Sequence, residues 1–97
     1  MSKLVGALAA GLVVSTISQA QAQDAAGLAQ AKGCMGCHAI DQTKMGPSFK
    51  SLAARYKGQA NAAGNLVAEL RDGKGHMKSN ATEAELRQLI DFVLAAQ

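Results

Sequence analysis

Tryptophan is missing from this chain, and phenylalanine and tyrosine supply only three rings, Phe49, Tyr56 and Phe92. A sequence of 97 residues with so few bulky side chains has little from which to build a core. Proline occurs once, at Pro47, so that position alone would interrupt a helix outright. Two cysteines are too few for a disulfide framework. There is no long basic run, and three rings offer little for bases to stack on, which argues against nucleic acid as a partner. Neither strand-like alternation nor an internal repeat is present.

What is present begins with a leader. Met1-Ser2-Lys3 places a positive charge ahead of an uncharged apolar stretch from Leu4 to Ile17, and Ala20-Gln21-Ala22 follows as a small-residue A-x-A site. These are the three parts of a secretory signal. The apolar stretch falls short of the roughly 20 residues a membrane-spanning helix needs. We expect cleavage after Ala22, which divides the chain into residues 1–22 and one domain of residues 23–97, with no integral membrane segment in the mature form. No cysteine follows the signal, so a lipid anchor is set aside. A domain this small usually requires a staple of some kind. Removing Lys3 takes the formal charge from +3 to +2, and Lys32, Lys44, Lys50 and Lys78 are scattered as either a docking edge or an ordinary solvated surface.

The mature part reads as all-α. Residues 24–32 are rich in helix formers, start with a capping-type Asp24 and close at Gly33. Pro47 suits a first helical position and starts a helix over 48–56. A third helix covers 61–71, with Leu66 and Leu70 on one face and Asp72-Gly73 as its stop. Thr82-Glu83-Ala84-Glu85 forms a capping box, followed by Leu86, Leu89, Ile90, Val93 and Leu94 at amphipathic spacing. Residues 39–45 and 74–81 are loops, placed so that something could be gripped between them.

The chemistry concentrates in Cys34-Met35-Gly36-Cys37-His38. Two sulfurs three residues apart suit thioether bonds to the two vinyl groups of one haem, and the adjacent imidazole can reach the iron. A zinc site would need His76 as a fourth ligand. A redox-active dithiol would want a βαβ setting that this chain lacks. Tight spacing disfavours a structural disulfide.

From Lys32 onward the sequence resembles the short bacterial class I monohaem cytochromes c, periplasmic carriers of electrons to terminal reductases or oxidases. The resemblance rests on residues 32–41, on Lys44-Met45-Gly46-Pro47-Ser48-Phe49, on Met77 and on the amphipathic last helix. It implies about four short helices wrapped around one covalently bound haem c, held through Cys34 and Cys37, with His38 as proximal iron ligand. It also implies a crossing of the first and last helices near Gly27, and a hydrogen bond from His38 Nδ1 to the Pro47 carbonyl. The second axial ligand corresponds to Met77, a soft neutral thioether that favours ferrous iron and raises the potential. Met45 lies close to the proximal Gly-Pro turn and is expected to pack against the haem ring. The sequence departs from the family's pattern where Lys78-Ser79 follows Met77 and where a tryptophan is lacking. His76, next to Met77, is the alternative ligand, and Arg71 or Lys74 are candidate partners for the haem propionates.

The functional expectation is a periplasmic single-electron carrier and not an enzyme. It would contain a low-spin haem with His/Met ligation and act as a monomer or in transient complexes with a redox donor and acceptor. Two alternatives remain: a haem-based small-ligand sensor with a labile or absent sixth ligand, and the haem subunit of a larger periplasmic oxidoreductase.

Overall fold

The structure, a computed structural model, describes Gly6, Gly11 and residues 17–97, with side-chain surroundings from Asp24 onward. Most of the expected leader therefore lies outside the described residues. Helix α1 spans Ile17–Ala31, α2 Phe49–Tyr56, α3 Ala62–Asp72 and α4 Glu83–Leu94, with one 3-10 turn at Cys34–Gly36 between the first two. No strand occurs among the described residues, so the fold is all-α, as the periodicity predicts.

Three helix boundaries differ from expectation, each for a local reason. Helix α1 starts at Ile17, so Asp24 sits inside it instead of capping it, because alanine and glutamine propagate the helix straight through Ala22. Pro47 precedes α2 without entering it. The N-cap is Ser48, whose Oγ accepts from the Ser51 amide at 3.1 Å. Helix α3 runs one residue further than expected, to Asp72, and stops where Gly73 adopts φ 72°, a left-handed conformation that costs glycine nothing. The fourth helix begins as read: the Glu85 amide donates to Thr82 Oγ1 at 3.2 Å, and the Thr82 amide donates to Glu85 Oε1 at 2.9 Å.

Helix α4 is the hub, with α1, α2 and α3 each packed on it. Leu86, Leu89 and Ile90 join Ala29 of α1 and Val67 of α3 in the buried cluster, with Leu66 and Leu70 packed partly buried against it. Val67, between the two leucines, is more deeply buried than either of them. Phe49 at the start of α2 meets Phe92 of α4 edge-on, with centroids 6.1 Å apart and planes at 83°. The expected approach at Gly27 is not observed: a Cβ there would meet nothing within 4 Å, and the residue is exposed. Ala25 and Ala29, both buried, are the residues that α1 turns inward. A Lys32–Glu85 ion pair at 3.4 Å also ties the C-terminal end of α1 to the first turn of α4.

Candidate haem site

Cys34 and Cys37 are free, half-buried thiols, the first opening the 3-10 turn and the second directly following it. That turn is closed by the Cys37 and His38 amides, which both donate to the Cys34 carbonyl, at 3.3 and 3.0 Å. The result holds both sulfurs and the imidazole within one tight stretch of backbone. Burial pushes the Cys34 thiol up, a shift its backbone hydrogen bond only partly offsets. A raised thiol is the reverse of what a reactive dithiol needs. Among the described residues, no three His, Cys, Asp or Glu side chains converge as a metal cluster, so the four-ligand zinc arrangement does not form.

The loop after His38 folds back onto it. The Gly46 amide donates to Cys37 O at 2.8 Å, and the Phe49 and Lys50 amides donate to Ala39 O and Ile40 O, each at 2.9 Å. Lys44 Nζ donates to Met35 O at 2.9 Å, which draws the loop against the 3-10 turn. This returns Pro47 to the histidine, whose Nδ1 donates to Pro47 O at 2.6 Å. A carbonyl can only accept, so Nδ1 carries a proton, and in the neutral ring the lone pair is then left on Nε2, the form a metal-ligating histidine requires. The ring is wedged as well as tethered. Phe49 lies 5.4 Å from it between centroids, and a Cβ at Gly46 would come within 2.5 Å of His38 Cε1. Sequence reasoning missed Gly46 as a site residue; its adjacency to Pro47 was the available signal. Met45, expected to pack against the haem ring, is 86% exposed on the protein alone.

The second loop, between α3 and α4, is pinned at both ends. The Gly73 and Lys74 amides donate to Glu69 O at 2.8 and 3.1 Å, and the Ser79 amide donates to Leu70 O at 2.8 Å. Arg71 pairs with Asp72 at 3.0 Å and reaches Glu83 at 3.9 Å, and Arg87 meets Glu83 at 3.3 Å. Arg71 holds the Asp72 carboxyl below the ordinary carboxylate range. The Arg71 guanidinium is thus engaged by two carboxylates of this chain. Between these anchors His76 and Met77 are exposed, Met77 to 73%. The His76 ring lies 6.0 Å from that of His38 between centroids, with planes 8° apart. The fold thus brings the distal loop to the CxxCH histidine across 38 residues of sequence.

The donor set suits a haem: two thiols at thioether spacing, an imidazole with a free Nε2, and an opposing loop that presents a thioether and a second imidazole. Comparison with known proteins agrees. The family profile described as Cytochrome c matches residues 22–97. Cytochrome c-551 of Azotobacter vinelandii is 43% identical over 74 residues, covering 69% of this chain and 90% of that one. Cytochrome c-551 of Allochromatium vinosum is 44% identical over 75 residues, covering 69% and 80%. Among solved structures, the class 1 cytochrome MtoD of Sideroxydans lithotrophicus ES-1 superposes with a TM-score of 0.66 at 29% identity, covering 76% of this chain and 94% of that one. The chain belongs to the cytochrome c family. Within it, its place is among the short class I monohaem cytochromes c, electron-transfer proteins that carry one covalently attached haem c.

Proposed function

We propose that this protein carries single electrons in a periplasmic redox chain, with Cys34 and Cys37 bonded to the haem vinyl groups and His38 and Met77 as the axial iron ligands. The observation that carries the reading is the His38 ring, fixed by the Pro47 carbonyl at 2.6 Å with Nε2 left free. Haem supplies a one-electron ferric/ferrous couple whose potential the axial donors set. His38 contributes a nitrogen whose orientation is settled in advance by the wedge of Gly46, Pro47 and Phe49. Met77 contributes a neutral thioether that favours the ferrous state. The two pinned ends of the distal loop limit how far that ligand can wander. Together they keep the geometry nearly constant as the charge changes, which favours fast transfer over ligand capture.

Export is part of the proposal. The family match begins at residue 22, beside the expected cleavage point after Ala22, which supports a leader over residues 1–22. No helix among the described residues is long and apolar enough to cross a membrane. Protein recovered from the periplasm should begin at Gln23, as N-terminal sequencing would show; an N-terminus at Met1 contradicts the processing step. Partners are a redox donor and acceptor met in transient complexes.

Optical and near-infrared spectra of the matured protein test the ligand assignment. Wild type should be low-spin in both oxidation states and show the ferric methionine–iron charge-transfer band. Met77→Ala should abolish that band and lower the potential by roughly a tenth or more of the about 0.8 V range that axial ligands span. A high-spin ferric wild type contradicts the carrier reading and favours the ligand sensor.

A further inference from the structure

Residues 41–45 are all exposed, and the next helix does not begin until Phe49. Yet the Gly46-Pro47 turn at the end of this stretch is what seats the His38 ring, so its place in the fold has to be held. Backbone bonds hold part of it: the Gly46 amide donates to Cys37 O at 2.8 Å, and the Lys44 amide to Gly46 O at 3.1 Å. Among the described residues, the one side-chain hydrogen bond made by residues 39–46 runs from Lys44 Nζ to Met35 O, at 2.9 Å. The acceptor lies in the 3-10 turn Cys34–Gly36, too short to satisfy its own last carbonyls. The Cys37 and His38 amides both turn to Cys34 O, and no backbone amide among the described residues takes Met35 O. A lysine suits a carbonyl left over at that end of a helical turn. Met35 itself packs, partly buried, against the cluster that contains Ala29, Leu86 and Leu89. Lys44 therefore links the exposed loop to the core.

Resting on the reading of His38 as the proximal ligand, we propose that Lys44 is a positioning residue for that histidine, its ammonium clamping the Gly46-Pro47 turn to the 3-10 turn so that the ring keeps its seat. Both features of the seat depend on where this turn lies. One is the bond from His38 Nδ1 to Pro47 O at 2.6 Å, and the other is the approach at Gly46, where a Cβ would come within 2.5 Å of His38 Cε1. An exposed hydrogen bond adds little to global stability, so the effect of Lys44 is local: it keeps the loop from opening while the helices stay packed. Lys50 provides the contrast. It is also exposed, but it bonds through its backbone amide, to Ile40 O, which a change of side chain leaves in place.

Hydrogen exchange followed by NMR on four reduced, haem-loaded proteins tests this: wild type, Lys44→Met, Lys44→Arg and Lys50→Met. Methionine keeps an unbranched stem and removes the donor, whereas arginine keeps a cation that can donate. In Lys44→Met the Gly46 amide and the His38 Nδ1–H should exchange at least about threefold faster than in wild type, within the roughly tenfold that one hydrogen bond to a charged group can account for. The Leu89 and Ile90 amides of α4 should keep their wild-type rates, which locates the opening in the loop. Lys44→Arg should recover most of the protection, and Lys50→Met, which loses the same charge, should match wild type. If Gly46 and His38 exchange no faster in Lys44→Met than in Lys50→Met, or if the α4 amides quicken by the same factor, the positioning role is overturned while the His38 reading stands. If the His38 Nδ1–H of wild type already exchanges as fast as that of free imidazole, the His38 reading fails, and the role of Lys44 with it.

Discussion

A methyl group at position 46 would place its carbon 2.5 Å from His38 Cε1 and 2.9 Å from Nδ1. The ring cannot swing clear without giving up its bond to Pro47 O, because that bond and the Phe49 ring fix its position. Gly46→Ala should therefore disturb the proximal ligand, lowering the yield of matured protein and shifting the potential, as haem content and redox titration would measure. Unchanged yield and potential would mean the close approach is of no consequence. Met45 next door is the control. Being 86% exposed, it should tolerate alanine within about 0.5 kcal/mol and leave the potential where it was. At this scale the sequence was partly legible. The CxxCH spacing pointed to the sulfurs and the histidine because their chemistry is local. The close contact at Gly46, and its absence at Gly27, depend on which way a helix or loop faces, which one-dimensional spacing does not encode.

Among the elements, α4 matters most, since every other helix packs on it. Its start depends on the Thr82–Glu85 box, so Thr82→Ala should cost about 1 kcal/mol and lower the Tm of a domain this size by roughly 4–8 °C. Glu85 also answers to pH. Its carboxyl is lowered first by the Thr82 backbone N–H, and Lys32 adds to the shift. A carboxyl depressed in the folded state contributes stability that is fully present above its unfolded value and lost as pH falls through the folded one. Wild type should thus exceed Glu85→Gln in Tm near neutrality, and the gap should close as pH drops below the ordinary carboxylate range. A gap independent of pH would contradict the assignment. This helix was legible because a capping box and an amphipathic stripe are both written in adjacent residues. The start of α1 was not, since alanine and glutamine carry a helix past any nearby capping residue.

For the whole molecule, the limiting quantity is apolar material. Of the buried hydrophobic residues, Ala25, Ala29 and Ala62 contribute only a methyl each, and among the described residues Leu86 is the one large side chain with less than 2% exposure. Such a core is thin for a free-standing domain, and the missing bulk noted in the composition is the reason. Haem attached through two thioethers would serve as the rest of it. Cys34→Ala/Cys37→Ala chains should then lose most of their helical signal and unfold without a cooperative transition; a cooperative melt close to that of wild type would show the chain folds unaided. The all-α class was legible from helix formers, caps and the amphipathic last helix, and the haem-wrapping layout from the family resemblance. The meeting of His76 with His38 was not, because it depends on how α3 and α4 hold the intervening loop. The central claim is that one haem is bonded to Cys34 and Cys37. Intact mass of the denatured mature protein, made in a host that attaches haem c, tests it most directly. The expected product is a chain heavier by one haem, with both thiols unreactive to alkylation. A colourless, folded protein of bare polypeptide mass with two reactive thiols would contradict it.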